Sequence, residues 1–176
     1  MSTPQIEALA TAVLMAVRGV PDPELAGVSI GSLGMVGAVE SVTNAASGTF
    51  RVTLIPTFLG CPALRHIAHD VEQASLQAGA IGVEVIFDHR TPWTTDRIDS
   101  TGRQGLAELG IAVVTPEGVE CPHCHSSQLQ LVSAVGPASC RSAHWCSECR
   151  NIVEVFRDST NTHAVLLLPR RHYAHL

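Results

Sequence analysis

The 176-residue chain contains no lysine: all eleven of its basic residues are arginine. That absence excludes the phosphate-binding lysine of P-loop enzymes, Schiff-base chemistry and lysine general bases together. Aromatic residues make up only 4% of the chain, too few for a stacking platform that would hold bases or sugars. The formal net charge of −5 is opposite in sign to the basic face that phosphate binding needs, so nucleic acid is not an expected partner. The apolar run Ala164–Leu168 is far too short to span a bilayer. Residues 1–7 carry neither the basic start nor the apolar core of a secretory signal. A cytoplasmic location is the expectation, and in a reducing compartment six cysteines read as metal ligands or reactive thiols rather than disulfides.

What is present gathers around Thr57-Phe-Leu-Gly-Cys61-Pro62. Before it, Phe50, Val52 and Leu54 alternate with Arg51 and Thr53, the period-two pattern of a strand with one buried face. After it, Leu64, Ile67, Ala68 and Val71 recur at helical spacing, and Pro62 suits a first helical position. Cys61 is therefore expected at or next to a helix N-cap. There the unpaired amides of the first turn would lower its pKa and favour the thiolate, which is both a nucleophile and a soft-metal ligand. The plainer alternative is a cysteine buried under a helix end. His66, His69 and Asp70 lie on the same helix; solvent-facing histidines are expected over a Cys/His nucleophile pair, because a first turn seldom aims an imidazole at its own cap.

The remaining pattern predicts an α+β fold. An amphipathic helix over 5–18 (Ile6, Leu9, Ala10, Val13, Leu14, Val17) is followed by the stiff loop Pro21-Asp22-Pro23-Glu24. A strand begins at Val28 and Ile30, bends at Gly31 and Gly34 and runs through Val36, Val39 and Val42 to a turn at 44–48. The strand at 49–56, the helix at 62–78 and a strand at 81–87 complete an α-β-β-α-β unit, a three-stranded sheet with helices packed on it and a right-handed crossover. Trp93 is expected to pack on the sheet, with a lid or partner contact as the alternative, and a short helix at about 100–109 closes at Gly110. The boundaries drawn are a first domain over 1–112, a linker over 113–119 with the two cores packing separately, a metal module over 120–157 and a tail over 158–176 that adds an edge strand at 164–168.

Two CxxC pairs, Cys121-Pro-His-Cys124 and Cys146-Ser-Glu-Cys149, are separated by 21 residues. Each CxxC knuckle turns both sulfurs to one side, and two facing knuckles complete a tetrahedral site for Zn²⁺. Four thiolates saturate zinc, which makes a zinc site structural, and a module of about 40 residues needs its metal to fold; an iron centre or redox dithiols are the alternatives. Cys140 is surplus to the pairs. Cys140 and the nearby His123, His125 and His144 stand as alternative ligands, with strands expected at 129–135 and 152–156.

Taken together, Asp22-Pro-Glu24, the Val-x-Ile-x-x-Leu-Gly segment at Val28–Gly34, and Thr57-x-x-Gly-Cys61-Pro62 resemble the metal-sulfur cluster assembly domain of the SufT and cytosolic iron–sulfur assembly type. Pro92-Trp-Thr-Thr-Asp96, the Gly102–Ile111 run and the paired CxxC module make the chain similar to the branch of that family found as a subunit of the phenylacetyl-CoA ring 1,2-epoxidase system. The resemblance covers roughly residues 5–157. It departs at Phe58-Leu59, at the residues before Cys140 and at Asn151-Ile-Val153. It implies an accessory subunit of a multicomponent oxygenase, rather than its catalytic subunit, that assists iron–sulfur or metal-centre assembly in phenylacetate degradation. Cys61 would be a transient iron or cluster ligand, and Asp22, Glu24 and Thr57 would shape its pocket. Its partners would be the other epoxidase subunits, an iron–sulfur reductase or diiron oxygenase component among them, and a homo-oligomer is left open. The alternatives are a general iron–sulfur assembly factor, a thiol enzyme using Cys61, and a purely structural subunit held by the ribbon.

Overall fold

A computed structural model describes residues 2–42 and 48–157. The expected turn at 44–48, except for Gly48, and the tail with its expected edge strand lie outside the described residues. Helix α1 (Thr3–Arg18) starts where the Gln5 side chain accepts the Ser2 amide at 2.8 Å, and it buries Val13 and Val17. Strands β1 (Val36–Ser41) and β2 (Thr49–Leu54) pair antiparallel, and β2 pairs parallel with β3 (Gly82–Phe87) after crossing through α2 (Leu64–Gln77). This is the α-β-β-α-β unit that the periodicity predicts. The alternation in β2 is realised fully: Phe50, Val52 and Leu54 are each 0% exposed.

The segment 28–34 is not a strand. Val28, Ile30 and Leu33 are buried, but the backbone folds into turns fastened by the Ile30 amide on the Val20 carbonyl (2.9 Å) and the Met35 amide on the Ile30 carbonyl (2.9 Å). The reason lies in its glycines. A Cβ on Gly31 would fall 2.3 Å from the Arg18 carbonyl oxygen, and one on Gly34, at φ +68°, would fall 2.3 Å from that of Arg97. The segment is thus a seat for the end of α1 and for Arg97.

After β3 the chain forms a single 3-10 turn (Thr95–Arg97) and α3 (Ser100–Glu108), capped where Asp99 accepts the Gly102 amide at 2.9 Å. Strand β4 (Ile111–Val113) then joins a second sheet with β5 (Leu129–Ser133), β6 (Arg141–Cys146) and β7 (Ile152–Phe156), in the order β4-β7-β6-β5. The boundary drawn at 112/113 therefore falls inside a strand. The two cores are not separate either. Along β7, Val153 and Val155 enter the ribbon's own core while Phe156 enters the core of the first sheet; along β4, Ala112 and Ile111 divide in the same way. Phe156 meets the Trp93 ring at 5.4 Å between centroids, inclined at 49°, and Trp93 donates its Nε1–H to the Leu33 carbonyl at 2.8 Å. Trp93 therefore packs between the sheets as well as on the first one.

Because Phe156 is 1% exposed and serves the first core from a ribbon strand, Phe156→Ala should destabilise the whole protein by about 3–5 kcal/mol. Urea unfolding followed by circular dichroism should show one earlier transition. A loss under about 1 kcal/mol, or one confined to the ribbon, would contradict the shared core.

Candidate functional site

The two knuckles are built alike. The Cys121 carbonyl accepts the His125 amide (2.8 Å) and the Cys121 amide donates to Ser126 (2.9 Å); the Cys146 carbonyl accepts the Arg150 amide (2.9 Å) and the Cys146 amide donates to Asn151 (3.0 Å). In each, the fourth residue after the first cysteine turns to positive φ, His125 at 59° and Arg150 at 63°. The result is four sulfurs within 4.8 Å of one another, with Cys121–Cys149 and Cys124–Cys146 each at 3.6 Å. A tetrahedron with metal–sulfur bonds of about 2.3 Å has edges of about 3.8 Å, so the donor set fits a thiolate-bound zinc. Without a cation the thiols compete. The Asn151 amide and side chain draw Cys149 down to about 6, whereas Cys124 is pushed up to about 12, against the pull of the Ser126 amide, by burial and by Cys146, Cys149 and Cys121. A divalent ion removes that conflict by holding all four ionised.

Cys140 is not a member of this group; among the described residues the only close set of three or more candidate ligands is Cys121, Cys124, Cys146 and Cys149. The expectation that Cys140 could substitute in the ribbon is corrected on that ground. Its side chain packs against the core of the first sheet.

Cys61 lies between β2 and α2, but the helix N-cap is Ala63, two residues further on. Pro62 and Ala63 form a turn instead of the first helical residues, with the Leu64 amide on the Cys61 carbonyl at 3.3 Å. The expected drop in the thiol pKa is reversed. Burial raises it, and so do the charges of Glu24 and Asp22, outweighing the amides of Ala63 and Leu64. Cys61 is half-buried, with Phe58 and Leu59 of its own loop 37% and 58% exposed beside it.

Asp22 and Glu24 thus act on Cys61 although some forty residues separate them in sequence. Their loop is a turn with Pro21, Pro23 and Glu24 exposed, but it is tied down by hydrogen bonds. Pro21 bridges Ser29, the Asp22 amide donates to the Val28 carbonyl at 2.8 Å, and the Asp22 carboxylate accepts the Glu24 amide at 2.8 Å. Burial raises the Asp22 pKa. Thr57 sits at the bend that opens the Cys61 loop. His66 pairs with Asp70 at 3.4 Å on the exposed side of α2, and His69 is exposed, as expected of solvent-facing histidines.

Sequence reasoning missed two neighbours of this cluster. Cys140 feels the charges of Cys61 and Glu24, and Arg141 acts on both Cys140 and Asp22. The available signal was a cysteine left over outside either CxxC pair.

A cluster-assembly-type domain joined to a four-cysteine ribbon is the class that this fold and site define. Residues 10–85 match the family model described as an iron–sulfur cluster assembly protein, and residues 112–157 match the PaaD zinc beta ribbon domain. The chain is 32% identical over 146 residues to an Escherichia coli K12 protein provisionally named as one of the subunits of 1,2-phenylacetyl-CoA epoxidase, covering 78% of this chain and 86% of that one. A crystal structure of DUF59, a domain of unknown function from Bacillus anthracis, is 28% identical and superposes with a TM-score of 0.52 over 60% of this chain and 97% of the other. A Mycobacterium tuberculosis protein associated with Fe–S complex assembly and repair is 29% identical over 59% of this chain and 87% of its own, with a TM-score of 0.35. The chain belongs to the PaaD family of phenylacetyl-CoA epoxidase subunits.

The raised Cys61 pKa has a sign that can be checked. With the ribbon thiols masked by zinc, alkylation of Cys61 should rise with pH to a midpoint above the ordinary thiol value of about 8.5. Glu24→Gln removes a charge that opposes ionisation, so it should shift the midpoint down and speed alkylation at pH 8. A wild-type midpoint below the ordinary value would mean that the helix amides prevail.

Proposed function

We propose that the chain is an accessory subunit of a phenylacetyl-CoA epoxidase system that receives iron or an iron–sulfur cluster on Cys61 and passes it to a partner subunit. The ring-oxidising chemistry belongs elsewhere in the complex. The observation that carries this reading is the match of residues 10–85 to the iron–sulfur cluster assembly family, and the charges of Asp22 and Glu24, which raise the Cys61 pKa, support it. A thiol kept protonated by burial and negative neighbours is a poor nucleophile near neutral pH, and the histidines of α2 stand on the exposed side. The same surroundings favour a cation: when a soft metal displaces the thiol proton, the carboxylates that opposed the thiolate stabilise the ion beside it. Asp22, Glu24 and Thr57 would shape that pocket. Membership of the PaaD family and the match to the assembly-protein model support the same reading.

In this reading the ribbon cysteines Cys121, Cys124, Cys146 and Cys149 hold a structural zinc. Four thiolates leave no coordination position for a substrate, and the ion fixes the knuckles that support β6 and β7. Protein purified without added metal should contain one zinc per chain, and Cys149→Ser should lose it. A folded ribbon free of metal would contradict this role.

The functional test is coproduction with the other epoxidase subunits, followed by assay of iron and acid-labile sulfide in the purified partners. Cys61→Ala should retain its zinc yet lower the partners' content severalfold, with Asp22→Asn and Glu24→Gln showing smaller losses of the same sign. Full partner content with Cys61→Ala would overturn the reading. A thiol enzyme would instead lose turnover of a small substrate by the isolated subunit.

A further inference from the structure

We propose that the cleft between Arg18 and Arg97 is a binding site for a small organic oxyanion, a carboxylate or a phosphate monoester, held by the two guanidinium groups. None of the residues that line it belongs to the Cys61 loop or to the ribbon, and the inference is independent of the function proposed above.

Three segments distant in sequence meet here: the last turn of α1, the seat at 28–34 with the start of β1, and the chain between β3 and α3. They surround a cavity of about 310 Å³ lined by Arg18, Gly31, Gly34, Val36, Arg97 and Asp99. Its walls are fixed through the backbone. The Gly31 amide donates to the Arg18 carbonyl at 3.2 Å, Arg97 Nε donates to the Gly34 carbonyl at 2.9 Å, and the Asp99 amide donates to the Ser32 carbonyl at 3.0 Å. Gly31 and Gly34 bring no side chain to fill the space, and a Cβ on either would collide with the backbone of Arg18 or Arg97. The two arginines are therefore held on one cavity by contacts that only glycine permits.

The charges are not spent on one another. Among the described residues the Arg18 guanidinium has neither a hydrogen bond nor an ion pair, and Arg97 commits only its Nε, to Gly34. Asp99, the one carboxylate in the lining, accepts the Gly102 amide at 2.9 Å as the cap of α3 and pairs with neither arginine. Two guanidinium groups against one carboxylate leave the cavity locally positive in a chain whose net charge is −5. The planar donor fork of arginine matches the oxygens of a carboxylate or a phosphate, and Val36 supplies an apolar wall for the carbon frame that carries them. The size favours a small molecule over a protein segment, because pockets for such ligands run from about 300 to 1,000 Å³. The position has a consequence for the whole chain. Between the two glycines, the Leu33 carbonyl accepts Trp93 Nε1–H, and Trp93 lies against Phe156 of the ribbon. A ligand that bridges Arg18 and Arg97 ties together the segments on either side of that contact, and so stiffens the junction of the two sheets.

The test titrates ¹⁵N-labelled, zinc-loaded full-length protein at low salt with glycerol phosphate and, separately, with succinate, following the backbone amide resonances. Saturable shifts at Gly31, Gly34 and Asp99 with either probe support the proposal, and the tighter probe assigns the ligand as phosphate or carboxylate. Saturating probe should also raise the unfolding temperature of wild type, since it binds only the folded chain. Arg18→Gln alters an exposed side chain without a partner, so the variant should keep its fold and bind about tenfold or more weakly. Arg65→Gln removes the same charge from the exposed side of α2 and should bind as wild type does. Absence of saturable shifts at these amides with both probes would overturn the site. Equal weakening in Arg18→Gln and Arg65→Gln would overturn it too, because it would reduce the binding to the chain's overall charge.

Discussion

The rest of the structure depends on strands β4 and β7, which run parallel and serve two cores at once. Each presents successive residues to opposite faces, and the two faces meet different hydrophobic clusters. Phe156 and Ile111 stop being ribbon residues in any energetic sense, because the apolar area they bury belongs to the first sheet. Trp93 fixes the geometry of the join, with its ring on Phe156 and its Nε1–H on the Leu33 carbonyl. A small metal module, which would otherwise hang on a linker, is thereby held against the core of the first sheet.

That constraint bears directly on chemistry. A transient metal site needs ligands soft enough to hold the cargo and few enough to release it. A saturated four-thiolate site provides the first without the second. On the proposed reading the chain separates the tasks: the ribbon sulfurs form a closed set, and Cys61 stands in partly buried surroundings among charges that oppose its ionisation. In both places the proton is the ligand that a metal must displace. The ribbon lowers the cost at Cys149 through the Asn151 hydrogen bonds, while at Cys61 the proposed reading has the carboxylates favour a cation.

Much of this was legible in the sequence. The strands β2 and β3, the helices and the CxxC set follow from period-two and period-3.6 patterns and from knuckle spacing, all of them local signals. What escaped depended on distant partners. Val28, Ser29 and Ile30 alternate like a strand, yet Gly31 and Gly34 are there so that the chain can touch Arg18 and Arg97. Strand β6, Arg-Ser-Ala-His-Trp-Cys, carries no apolar alternation because its pairing with β7 and β5 decides it. Pro62 is as compatible with the turn it adopts as with a first helical residue, so the N-cap moved to Ala63; burial, with the charges of Glu24 and Asp22, then sets the sign of the Cys61 pKa shift. The packing of Cys140 on the first core was invisible for the same reason: it takes the fold of both halves.

Hydrogen exchange before and after zinc is withdrawn by a chelator tests the shared sheet most directly. If β4 and β7 serve both cores, amides of the Asp22 loop, the Cys61 loop and the Trp93 segment should lose protection together with those of the ribbon. Loss of protection confined to residues 120–157, with the first sheet and its loops unchanged, would show two independent modules and would contradict this account.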